Sequence, residues 1–182
     1  MDWAAKRDWA LEEHERRLAT PAAEGEREDL RLAGIAGASW AAGLSALMLG
    51  EHDEAASLLR RAADEYATSW HAAPPGAWGR PIAMLRCRLI AGDPAGAERD
   101  AEAALAAGAM EAAGPIGGYC AALVSSDEPA FELARRDVLG SFEERDAFLE
   151  DVAVADTVLV LDALARRRGL EVRPLGSALL PG

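Results

Sequence analysis

The stretch that decides the fold is Ser45-Ala46-Leu47-Met48-Leu49-Gly50-Glu51-His52-Asp53-Glu54-Ala55. A run of helix formers meets a glycine, acidic residues follow, and small helix formers resume. Glycine after a helical run is a stop signal, and carboxylates just beyond it suit the positive end of a new helix. The same phase returns at 87–97, with Gly92-Asp93-Pro94 at the turn, and at 120–130, with Ser125-Ser126-Asp127. Gly50, Gly92 and Ser125 align, as do Ala55, Ala97 and Ala130. At the aligned alanines the second helix of each pair is expected to cross the first, where only a small side chain allows close approach. Helix-turn-helix units in series predict a helical array, an architecture that binds other molecules more often than it transforms them.

Composition points the same way. Of 182 residues, 51% are hydrophobic but only 5% aromatic, and alanine makes up much of the difference. Such a chain favours close helix packing over a large aromatic core, and strand formers are sparse. One domain is expected over 1–182: N-terminal helices in 1–34, three degenerate helix-pair repeats in 35–139, and C-terminal helices with a docking tail in 140–182. The predicted class is all-α, with about eight helices as antiparallel pairs.

Local signals divide the chain further. Trp3, Ala10, Leu11, His14 and Leu18 mark one face of a helix over 2–19, ended by Thr20-Pro21. The acidic run 24–29 opens a second helix that reaches Leu49. Residues 53–68 form a third, and 72–79, with Pro74, Pro75, Gly76 and Gly79, are expected to form a loop. Pro81 opens a helix to Ala91. Asp93-Pro94 pairs an N-cap carboxylate with proline at the first helical position. Further helices are expected at 115–124 and 126–139. Ser141-Phe142-Glu143-Glu144 has capping-box form and should start another. The last runs from Val152 to the stop Arg166-Arg167-Arg168-Gly169, followed by an extended tail.

Gly50 and Gly92 are 42 residues apart, Gly92 and Ser125 33 apart. The second spacing is the tetratricopeptide period, and the Pro-Pro-Gly loop accounts for the longer first one. Residues 35–139 resemble degenerate tetratricopeptide repeats, which implies a right-handed array; an ordinary helical bundle is the alternative. A second resemblance rests on Pro81-Ile82-Ala83-Met84-Leu85, on Leu89-Ile90-Ala91-Gly92-Asp93, and on the C-terminal run 158–172 with Leu179-Leu180-Pro181. These pieces are similar to the bacterial immunity 49 family. That resemblance implies a protein that neutralises a toxin of a polymorphic toxin system.

A net charge of -12 repels phosphate backbones, so nucleic acid is not an expected partner, whereas a basic protein is. The opening Met1-Asp2-Trp3-Ala4-Ala5-Lys6 lacks an apolar run, so no secretion signal is expected. The uncharged stretch 32–50 reads as a buried helix rather than a membrane span, and a cytoplasmic location follows. Cys87 and Cys120 sit in apolar patterns and read as inert core thiols.

The segment 69–80 is the most distinctive. Trp70, His71, Trp78 and Arg80, with Tyr66, could form a cup for a partner side chain or small ligand. The competing reading folds both indoles back over a helix end. No histidine or cysteine spacing suits a metal, no glycine-framed nucleophile surrounds Ser69, and Gly114-Pro115-Ile116-Gly117-Gly118 is not a phosphate loop. No catalytic residue, metal or cofactor is therefore expected. The leading expectation is a non-catalytic protein-binding module with a basic toxin as partner. Two alternatives stay open: a small-molecule binder or enzyme at the 66–80 cup, and a self-associating subunit, a homodimer, built through the glycine-rich second helix.

Overall fold

The structure, a computed structural model, describes residues 1–72, 79–93, 95–97, 100, 128–167 and 169–181. The described residues are helical or irregular, with no strand among them. Four helices run in sequence: α1 (Trp3–Ala19), α2 (Glu28–Met48), α3 (His52–Ala72) and α4 (Gly79–Ile90). After the undescribed stretch come α5 (Glu128–Glu143), a 3-10 turn (Leu149–Asp151) and α6 (Asp156–Arg167). Each of the first four helices packs on its neighbour in sequence, α4 packs on α6, and α6 on α5.

The glycine turns are built alike. Gly50 (φ 79°) and Gly92 (φ 66°) both adopt the left-handed conformation that ends a helix. Glu51 N donates to Ala46 O at 3.0 Å and Gly50 N to Leu47 O at 3.0 Å. Asp93 N donates to Arg88 O at 2.9 Å and Gly92 N to Leu89 O at 3.2 Å, the same pair of bonds 42 residues on. The following helices then start in register: Ala55 N reaches Glu51 O at 2.9 Å, and Ala97 N reaches Asp93 O at 3.0 Å. Asp93 also caps through its side chain, accepting from Gly96 N at 3.0 Å. Ala55 and Ala97 are both buried. The third turn, Ser125-Ser126-Asp127, and Cys120 lie outside the described residues. Gly169 (φ 75°) closes α6 in the same way, with Leu170 N on Ala165 O at 3.1 Å.

Helix α2 is the centre of the larger core. It is long and apolar enough to span a membrane, but Ile35 to Ala46 are all buried between its neighbours in the chain. Its glycines permit that burial. A β-carbon at Gly43 would stand 2.8 Å from Leu59 Cγ and 3.2 Å from Leu59 N on α3. At Gly34 it would meet Arg17, and at Gly37 Glu150.

Two expectations fail, one for a local reason and one for a tertiary one. Ser141 does not start a helix: α5 runs through it to Glu143, and its hydroxyl donates back to Val138 O at 2.7 Å. A serine that bonds to the preceding turn satisfies itself within a helix and leaves the capping box unused. Val152 does not begin α6 either. Val152 is extended (φ -98°, ψ 100°), the segment up to Ala155 is irregular, and Val152 and Val154 enter the larger core while Ala153 stays half-buried. The turn before it is strained, since Glu150 (φ 50°) and Asp151 (φ 53°) are both left-handed without being glycine. Such residues cost on the order of 1–3 kcal/mol each and persist only where the surroundings fix them. Here Arg17 holds Glu150, with Nη1 on Oε1 at 3.4 Å, while it also donates to Gly34 O.

A second, smaller core unites α5, α6 and the tail through Phe131, Phe142, Val158, Leu161 and Leu180. The tail lies across it: Arg135 Nη2 donates to Arg173 O at 3.1 Å, and Ala155 N to Leu179 O at 2.9 Å.

Candidate functional site

The predicted cup is only partly within the described residues. Trp78 lies outside them, and only the backbone of Arg80, in the first turn of α4, is described. Tyr66 is buried at 9% exposure, and burial pushes its phenol pKa up. Trp70 is half-buried against the larger core and His71 is exposed, their rings 5.4 Å apart and tilted by 30°. The Trp70–His71 pair therefore sits at the surface while Tyr66 sits beneath it in the core.

A concavity lies at the other end of α3. It encloses about 660 Å³ where α4, α6 and the tail meet. That falls within the 300–1,000 Å³ usual for ligand sites. Leu89 and Ile90 come from the last turn of α4, Leu159 and Ala163 from one face of α6, and Val172 and Leu175 from the tail. The amphipathic spacing of α6 explains its share: residues four apart lie on one face. His52, at the start of α3, also lines the concavity. It is 18 residues from Trp70, so at 1.5 Å per residue the two candidate regions are roughly 27 Å apart along the helix.

The charged groups around this groove are largely committed. Arg88 is 9% exposed and bonds three carboxylates: Asp64 at 2.5 Å, Asp93 at 3.3 Å and Asp100 at 3.4 Å. Asp162 takes both arms of the fully buried Arg135, at 2.6 and 3.0 Å. Burial pushes the Asp162 carboxyl up, and the bonds from Arg135 pull it back. Arg166 reaches Asp162 only at 3.9 Å and its side chain is 63% exposed. The groove is thus an apolar floor with an arginine-bearing rim.

Chemistry is less well supplied. Cys87 is fully buried and burial pushes its thiol up, so it is not a thiolate nucleophile. Among the described residues no three His, Cys, Asp or Glu side chains gather as metal ligands would. His14 is buried with Nε2 2.7 Å from Glu65 Oε1, joining α1 to α3. The glycines that might have carried self-association are occupied within the chain by Arg17, Glu150 and Leu59.

The groove was not legible beforehand because its walls come from segments 47–52, 88–93 and 159–181, which only tertiary packing unites. The one available signal was the apolar spacing of Leu159 and Ala163 on a helix that ends in arginines. No family model, curated protein or solved structure matches this chain.

Proposed function

We propose that this chain is a non-catalytic binding module, a tetratricopeptide-like right-handed array of helix pairs, that holds a segment of a protein partner in the groove between α4, α6 and the tail. The observation that carries this reading is the 660 Å³ groove with its apolar floor and committed rim charges. Apolar side chains of the partner segment would fill the floor, and Arg166 would meet an acidic group on it. The acidic surface as a whole, at net charge -12, favours a basic partner by steering the encounter. The immunity 49 resemblance makes that partner a toxin met in the cytoplasm. The Trp70–His71 pair is the second contact region, about 27 Å along α3, which a protein-sized partner spans and a small molecule does not.

The test is co-expression with a toxin-like protein encoded beside this gene. The chain should restore growth and bind the toxin in a purified pair. Leu159→Arg, which puts charge on the groove floor, should weaken binding at least tenfold while helicity is kept. Trp70→Ala should weaken it less. Failure to restore growth, or unchanged affinity in Leu159→Arg, would refute the reading.

A further inference from the structure

We propose that the groove between α4, α6 and the tail has a second ligand, a medium-chain alkyl carboxylate, which competes there with the partner segment. The competition rests on the protein-binding reading above, whereas the binding of the amphiphile does not. The groove is open because α4 stops short. Helices α4 and α6 run parallel: Arg86 faces Asp156 at 3.4 Å, and Leu89 packs with Val160. Ile90, the last residue of α4, and Ala163 both flank that contact, and the left-handed Gly92 then ends the helical course. Helix α6 continues to Arg167, so its last turn stands beyond the end of α4. The tail runs back beside α6, with Ala155 N on Leu179 O at 2.9 Å, and forms another wall.

The lining is aliphatic and within reach of a ligand. Leu89 and Leu180 are nearly covered, while Ile90, Leu159, Val172 and Leu175 are half-buried and keep part of their alkyl surface accessible. Among the described lining residues there is no Phe, Tyr or Trp. Aliphatic walls give a flexible chain dispersion contacts along its length and give a flat ring no stacking partner. Each methylene that leaves water then adds to affinity.

Arg166 receives the charged end. Leu159 and Arg166 both line the groove and are seven residues apart, so they share a face of α6 and stand roughly 10 Å apart at about 1.5 Å per residue. The Arg166 side chain is 63% exposed, and its contact with Asp162 is 3.9 Å, too long for a hydrogen bond. Asp162 is held by both arms of Arg135, at 2.6 and 3.0 Å, and is not at liberty to move toward Arg166. The other carboxylate of the described lining, Asp93, caps Gly96 N and bonds Arg88. The fork of Arg166 thus has donors for both oxygens of a carboxylate whose chain lies along the floor.

Isothermal titration of the full chain with decanoate, kept below its micelle concentration, tests this. The comparators are butyrate (the charge without the chain) and decyltrimethylammonium (the chain with the opposite charge). On a chain of net charge -12, non-specific adsorption would favour the cation. Decanoate should instead bind saturably, and both comparators at least tenfold more weakly. Arg166→Ala, at an exposed position, should keep the helical circular dichroism and weaken decanoate at least fivefold, as should added salt. Leu175→Asp, on the tail wall, should abolish binding in a chain that is still helical. No saturable heat with decanoate, tighter binding of decyltrimethylammonium, or unchanged affinity in folded Arg166→Ala would each overturn the amphiphile site. Decanoate binding that is lost in both variants yet leaves a toxin-like partner's affinity unchanged would overturn the competition and place the partner outside the groove.

Discussion

The two cores solve the packing problem differently. The larger one, α1 to α4, is built from alanine and glycine at helix crossings, so the backbones come close and few large side chains are needed. The smaller one, α5, α6 and the tail, uses Phe131, Phe142 and branched aliphatics around the buried Arg135–Asp162 pair. A close-packed crossing is intolerant of added volume, whereas a buried ion pair is intolerant of losing one partner. The groove lies where the two styles meet, between α4 of the larger core and α6 and the tail of the smaller one.

The largest expected effect probes the smaller core. Arg135→Met strands the buried Asp162 carboxylate and should cost about 3–5 kcal/mol in urea unfolding at neutral pH. The deficit should shrink as pH falls. The folded-state carboxyl of Asp162 already lies above its ordinary value, so the folded state holds that proton more tightly than the unfolded chain. Its contribution to stability therefore declines as pH rises through that range, the more so without Arg135. A deficit independent of pH would show that the lost packing, not the stranded charge, is responsible.

Next comes the larger core. Gly43→Val drives a side chain into Leu59 and should cost about 1–3 kcal/mol, read from the same unfolding curve. Gly140→Val, on α5 where a β-carbon meets nothing within 4 Å, should cost far less. Equal losses would break the contrast between the cores.

The glycine turns rank third. Gly50→Ala and Gly92→Ala force a left-handed conformation on alanine and should each lower stability by about 1–2 kcal/mol. Because the two turns make the same bonds, the two losses should agree, and a large disparity would end their equivalence.

The smallest effect is electrostatic. Hydrogen bonds from Arg16 and Arg17 hold the Glu13 carboxyl down to about 2, against an ordinary 4.5. Its stabilisation is fully present above pH 4.5 and is lost as pH falls toward 2. Glu13→Gln should lower stability slightly at neutral pH, leave it unchanged near pH 2, and so flatten the acid limb of the stability profile.

These elements were not equally legible in the sequence. Gly50, Gly92 and Gly169 were, because a helix stop is a local device carried by one residue and its neighbours. The burial of Ile35 to Ala46, the middle of the uncharged stretch 32–50, was also legible, from its small residues and lack of charge. Val152 and Val154 carried a period of two that marks extended chain, yet they adjoin a strongly helical run that obscures it. The Arg17–Glu150 contact joins residues 133 apart, and no local pattern encodes it. The candidate site divides along the same line. Trp70 and His71 were recognisable from residue type, whereas the groove exists only once α4, α6 and the tail are brought together.

Hydrogen exchange of the chain, free and mixed with any toxin-like protein found encoded beside it, tests the proposed binding most directly. The account predicts new protection in the last turn of α4, along α6 and in the tail at 170–181, with a weaker change at the end of α3. Protection confined to the end of α3, or no binding at all, would contradict it.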